Sequence, residues 1–322
     1  MHLAIRSATR LQIHICGPNV KSQHHLHIAI GFKPKVLSQG LHTHPPKMFS
    51  SPLTQRTTPL YQKDGHLYTH TSPITSLQPL STLPLETQSL FKPPQDSPQE
   101  PFVLTTPSTI FHAQGGGQPS DTGTITSKGT TFNVHQVRKP AEDGAILHLG
   151  TFSADAQKFG ENQDAEQNVD VDKRVLHSRI HTAGHVIGLA VNTLMLSGSL
   201  PSDLKDGKAS HYPGAAFVEF SGLIPGTAKD LIQAKVDEMV AEDLSVGIHF
   251  WGEEEAREKC TGVVESFKGD EDGVRVVEIG EVGSYPCGGT HVRALRECGN
   301  VVVRGIKRQK GVSKVSYEVR DV

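Results

Sequence analysis

The chain has 322 residues, of which 36% are hydrophobic, 20% charged and 6% aromatic. That composition excludes a collagen-like repeat and a disordered tail and suits two folded domains with no membrane span. The formal charge is −2, but residues 1–63 carry eight basic residues and no acid, leaving 24 basic against 34 acidic residues after them. A polyanion binder acting through bulk charge does not fit, so any contact with nucleic acid has to come from a local patch.

Residues 1–47 are rich in histidine and lack the apolar core of a secretory signal. They are read as an unstructured or non-native extension, with Met48 as the true start; the alternative is a mitochondrial transit segment. The expected location is cytoplasmic in the first case and mitochondrial in the second. Cys16, Cys260, Cys287 and Cys298 are too few and too scattered for a disulfide framework and point to a reducing compartment. Residues 77–100, with Pro79, Pro84, Pro93, Pro94 and Pro98 among Ser, Thr and Gln, read as a linker or loop insertion. Short strand-like pieces at 67–69, 102–105, 109–112, 131–137 and 145–149 predict a small antiparallel β-barrel-like domain over residues 48–160.

After residue 163 the period changes. Leu176, Ile180, Ala183, Ile187, Ala190 and Leu194 step by three and four, predicting one long helix capped by Asp170 or Asp172. Helices over 228–241 and 253–258 and strands over 216–220, 274–279, 301–306 and 315–319 complete an α+β second domain, residues 161–322.

On the long helix, His177, His181 and His185 project from nearly one face. Gly184 and Gly188 cost about 1 kcal/mol each in a helix interior, so something has to approach the backbone there. Further on, Cys287 and His291 flank two glycines that let the chain wrap round one point. A thiolate and an imidazole at that spacing make half of a zinc site, and His181 with His185 supply the other half. Four protein ligands fill a tetrahedral zinc, so spacing leaves open whether the metal acts on substrate or only positions it. In the first domain the three glycines at 115–117 fit neither a dinucleotide nor a P-loop fingerprint.

Taken together, His-Thr-Ala-Gly-His at 181–185, Cys-Gly-Gly-Thr-His at 287–291 and Gly-Gly-Gly-Gln-Pro-Ser-Asp-Thr-Gly at 115–123 resemble the alanyl-tRNA editing family. That family comprises the editing domain of alanyl-tRNA synthetase and the freestanding AlaX proteins, and the likeness spans about residues 100–320. It implies a zinc-dependent hydrolase acting in trans on mischarged tRNA for alanine; whether serine alone or also glycine is removed stays open, and the sequence shows no obligate protein partner. It also implies that Gln118 reaches into the editing site; Thr182 and Thr290 are the other polar residues expected to complete the pocket. Arg293, Arg296, Arg304, Lys307, Arg308, Lys310 and Lys314 form the basic stretch expected to meet the tRNA. A metalloprotease is excluded, since Thr182 stands where H-E-x-x-H needs glutamate. A non-catalytic zinc module for nucleic acid and a threonyl-type editing domain remain as alternatives.

Overall fold

The computed structural model describes residues 53, 55–92, 98–140, 144–160, 162–261, 269 and 272–321. The expectations for residues 1–47 and the Met48 start lie outside them. The described chain is mixed α and β, with its larger sheets antiparallel throughout. No helix among the described residues is long and apolar enough to cross a membrane.

The first half is a seven-stranded sheet. Its spatial order is Thr69–Pro73, Asp164–Val169, Gly123–Ser127, Thr130–Arg138, Leu147–Phe152, Phe102–Thr105 and Ser76–Pro79. Only Ile74 and Thr75 separate the two edge strands in sequence, and their amides donate to Gln163 and Thr105 at opposite edges, so the sheet curls into a half-barrel. One face buries Ile110, Phe111, Ile125, Phe132 and Phe152. The other face buries Val103, Leu147 and Leu149 under Leu80, Leu83 and Phe91. Covering both faces explains why every residue of Leu147–Phe152 is buried.

The proline-rich stretch 77–100 therefore does more than link. It begins inside an edge strand, continues through a short helix, Leu85–Ser89, and supplies the three apolar side chains of that second layer. The strand expected at 109–112 is limited to Ser108–Thr109, which pairs in parallel with Thr58–Pro59. Beyond it the amides of Ile110 and Phe111 donate to Gln167 Oε1 and Thr109 Oγ1 at 3.1 Å each. Side-chain acceptors thus replace a strand ladder and free the chain to enter the glycine-rich loop.

The second half is built on the long helix Val171–Leu196, whose N-cap Asp170 accepts from the Lys173 amide. Its stripe packs with the helix Lys229–Ala241 on a four-stranded sheet ordered Lys205–Ser210, Phe217–Ser221, Val312–Arg320, Asn300–Gln309. A three-stranded sheet, Val246–Trp251, Val274–Ile279 and Gly283–Pro286, delivers the chain to Cys287. The buried pair Arg174–Asp121 locks the helix to the glycine-rich loop; Arg174 also donates to the carbonyls of Gly65 and Ile110. Breaking such a pair by removing one partner costs about 3–5 kcal/mol, so loop and helix are held as one body.

Candidate metal centre

The helix brings His181 and His185 one turn apart, and the turn after Gly283–Pro286 brings Cys287 and His291 against them. The four ligand atoms lie within 4.8 Å of one another, and all four residues are buried. Cys287 Sγ stands 3.4 Å from Nε2 of both His181 and His291. Ligand atoms round a tetrahedral zinc with bonds of about 2.0–2.3 Å are about 3.3–3.6 Å apart, so the two sulfur–nitrogen spacings fit the ion, and the widest pair, at up to 4.8 Å, would close on binding.

Their outer contacts fix the rings for that task. His181 Nδ1 donates to Gln118 Oε1 at 2.7 Å, and His291 Nδ1 to Thr182 Oγ1 at 3.0 Å, leaving each Nε2 lone pair facing the thiol. His185 Nδ1 is buried without a hydrogen-bond partner. Gln118 Oε1 also accepts from the Thr290 amide at 3.0 Å, while its Nε2 donates to Thr290 Oγ1 at 2.9 Å. Gln118, Thr182 and Thr290 each have 0% exposure, and none lies on the cavity wall. Their polar atoms are engaged with His181, with His291 and with one another. Burial keeps the three histidines neutral, with His185 pushed down to about 3 and the His211 and Arg275 charges adding to the effect. Burial pushes the Cys287 thiol up, against the opposing pull of Arg275. His177 is buried on the same helix but outside the cluster.

The cluster opens on a cavity of about 670 Å³ between the glycine-rich loop, the helix and the strand Lys205–Ser210. Gly117, at φ +77°, lets the loop pass so close that an added Cβ would lie 2.6 Å from the Ala209 carbonyl. The helical glycines are explained in the same way. A Cβ at Gly184 would strike His211 and Tyr317, and one at Gly188 the Tyr285 hydroxyl.

Residues 274–316 match the family described as threonyl and alanyl tRNA synthetase second additional domain. The chain is 29% identical to alanyl-tRNA editing protein AlaX-L of Pyrococcus horikoshii over 65% of its own length and 49% of that protein. It is 32% identical to an alanine–tRNA ligase of Salinispora tropica over 63% of its length, though only 22% of the ligase. Against alanyl-tRNA editing protein AlaX-M of Methanosarcina barkeri it is 30% identical over 62% of its length and 79% of the relative. The chain belongs to the alanyl-tRNA editing family. It spans about half the length of AlaX-L and about a fifth of the ligases.

Several residues that the editing-family motifs do not contain complete the site. His211 stacks on His181, ring centroids 4.1 Å apart. Tyr317 donates its hydroxyl to the Ile180 carbonyl at 3.0 Å, so it must accept from His211 Nδ1 at 2.6 Å. That fixes the tautomer and leaves Nε2 as the acceptor His211 offers to the cavity it lines. Arg275 donates to the carbonyls of Gln62 and Cys287 behind the thiol. A lone arginine in the apolar run Val274–Ile279 was the available signal; for His211 no spacing marked it. The basic stretch divides. Arg296 pairs with Asp243, Arg304 with Glu318, and Lys314 with Glu219 while lying over the Phe217 ring. Lys307, Arg308 and Lys310 are exposed at the end of the hairpin Asn300–Gln309/Val312–Arg320, and Arg293 is exposed after His291.

Proposed function

We propose that this protein is a deacylase for mischarged tRNA for alanine, hydrolysing the ester between serine, or glycine, and the terminal ribose. The observation that carries this reading is the buried three-histidine, one-cysteine cluster opening on a cavity of about 670 Å³, of the size that takes a drug-sized ligand. The names of the AlaX relatives support it. In this reading residues 48–160 present the glycine-rich loop and residues 161–322 carry the metal cluster.

His181, His185, Cys287 and His291 would hold zinc, which supplies Lewis acidity for an ester carbonyl or an attacking water. Gln118 and Thr182 hold the ligand rings in register, and Thr290 braces Gln118. His211 Nε2 accepts the serine hydroxyl. A synthetase pocket shaped for alanine cannot strongly reject serine, so fidelity needs a second site that reads the hydroxyl. Bound alanine would leave the His211 acceptor unpaired, which costs about 1–3 kcal/mol and disfavours the correct ester. Lys208, exposed on the cavity rim, meets the phosphates of the acceptor end, and the tip residues Lys307, Arg308 and Lys310 meet the backbone further away.

Deacylation of seryl-, glycyl- and alanyl-tRNA for alanine by zinc-loaded protein tests the reading. Release of serine with alanine retained, abolished in Cys287→Ala, is the expected result. No cleavage above the spontaneous rate would overturn it in favour of a non-catalytic zinc module. Cleavage of seryl-tRNA for threonine in preference would point to the threonyl type.

A further inference from the structure

The cavity wall holds one carboxylate that neither the metal cluster nor the fold uses. Asp206 pairs with Phe220 and Ala209 with Val218, so the strand Lys205–Ser210 contains one extra residue between them. Without that bulge, positions three apart would face opposite sides of the strand; with it, Asp206 and Ala209 both line the cavity. The polar neighbour of Asp206 is the phenol of Tyr285, a neutral group, and no lysine, arginine or histidine forms an ion pair with it among the described residues. Burial pushes its carboxyl up to about 6, so at pH 7 the cavity wall carries a partly desolvated negative charge without a counter-ion. Tyr285 in turn packs edge-on against His185, centroids 5.0 Å apart. One phenol ring therefore separates the carboxylate from the ligand cluster.

We propose that Asp206 binds the α-ammonium group of the aminoacyl ester, restricting the site to esters whose α-amine is free. The inference rests on the deacylase reading above and adds the group by which the ester is held. An ammonium hydrogen-bonded to a carboxylate at about 2.8 Å places the ester carbonyl carbon about 5 Å from the carboxylate oxygen. The anchor thus holds the ester inside the cavity that the ligand cluster and His211 also line, with the carbonyl and the side chain left free to turn toward them.

The test compares seryl-tRNA with its α-hydroxy counterpart, in which hydroxyl replaces the amine, and with N-acetyl-seryl-tRNA. Wild-type protein is expected to prefer the free-amine ester by about 10–100-fold in kcat/KM, the scale of one charge-assisted contact. In Asp206→Asn the ratio of seryl to α-hydroxy ester should fall to near one, and Asp206→Glu should restore part of it. Zinc content and melting temperature of each variant establish that the cluster and fold persist. An undiminished preference in Asp206→Asn, or ready cleavage of the N-acetyl ester by wild-type protein, would overturn the assignment while leaving the deacylase reading in place. Failure of wild-type protein to cleave any of the three esters would overturn both.

Discussion

Replacing Gln118 by alanine removes an acceptor that serves two buried donors at once. The His181 Nδ1 proton, 2.7 Å from Oε1, and the Thr290 amide, 3.0 Å away, would both lose their partner at a site with no exposure to water. Each orphaned donor costs about 1–3 kcal/mol, so the two together amount to roughly 2–6 kcal/mol divided between metal affinity and folding. Loss of a hydrogen bond behind a ligating histidine lowers metal affinity by about 10–100-fold, or roughly 1.4–2.7 kcal/mol. The remainder should appear in the metal-free protein as a melting temperature lower by several degrees, at roughly 2–4 °C per kcal/mol for a unit of this size. Competition titration against a chromophoric zinc chelator reads the first share and circular-dichroism melting of the chelator-treated protein the second. Gln118→Glu keeps an acceptor for both donors and should lie between wild type and alanine in affinity. Zinc affinity of Gln118→Ala within twofold of wild type would refute the argument and return the glutamine to direct work on the ester.

Acid should destabilise the fold from a neutral-buried pair of histidines. Burial pushes His112 and His148 to about 4, below an unfolded value near 6.5, so the unfolded chain binds protons first as pH falls. Their contribution is complete above about pH 6.5 and is lost by pH 4, at roughly 3 kcal/mol each. Asp206, displaced upward, offsets part of this. Urea unfolding of metal-stripped protein between pH 7 and 4.5 measures it, and a flat profile would refute it. For tRNA, replacing Lys307, Arg308 and Lys310 together by alanine should flatten the log–log salt dependence of binding by up to about two to three units, with the seryl-over-alanyl preference unchanged. An unaltered slope would move the tRNA path to Arg293.

Features written in local periodicity and donor chemistry were legible in the sequence. The Leu176-to-Leu194 stripe located the helix, and two pairs of metal-philic residues gathered into one cluster although 106 positions separate His181 from Cys287. What was not legible depends on contacts between distant elements. That the carbonyl oxygen of the Gln118 amide is shared by His181 and Thr290 has no local signature. Asp206 reads as a solvated acid on a strand, because only the bulge beside it turns it inward. The proline-rich stretch 77–100 hides Leu80, Leu83 and Phe91 among breakers, and no period links them. Lys314 reads as one more surface cation, whereas Glu219 and Phe217 on the neighbouring strand hold it.

The bond between Gln118 and Thr290 spans 172 residues, which gives the site a history as well as a geometry. At a synthesis rate of about 5–20 residues per second, the glutamine waits roughly 10–30 s for its threonine to leave the ribosome. From the synthesis of His185 to that of Cys287, 102 residues or roughly 5–20 s, the helix carries two of the four cluster residues without the other two. During that stage the chain carries half of the cluster, a two-histidine pair one helical turn apart. Completion of the four-residue cluster, and with it any capture of an ion by all four side chains, is therefore a late event of assembly.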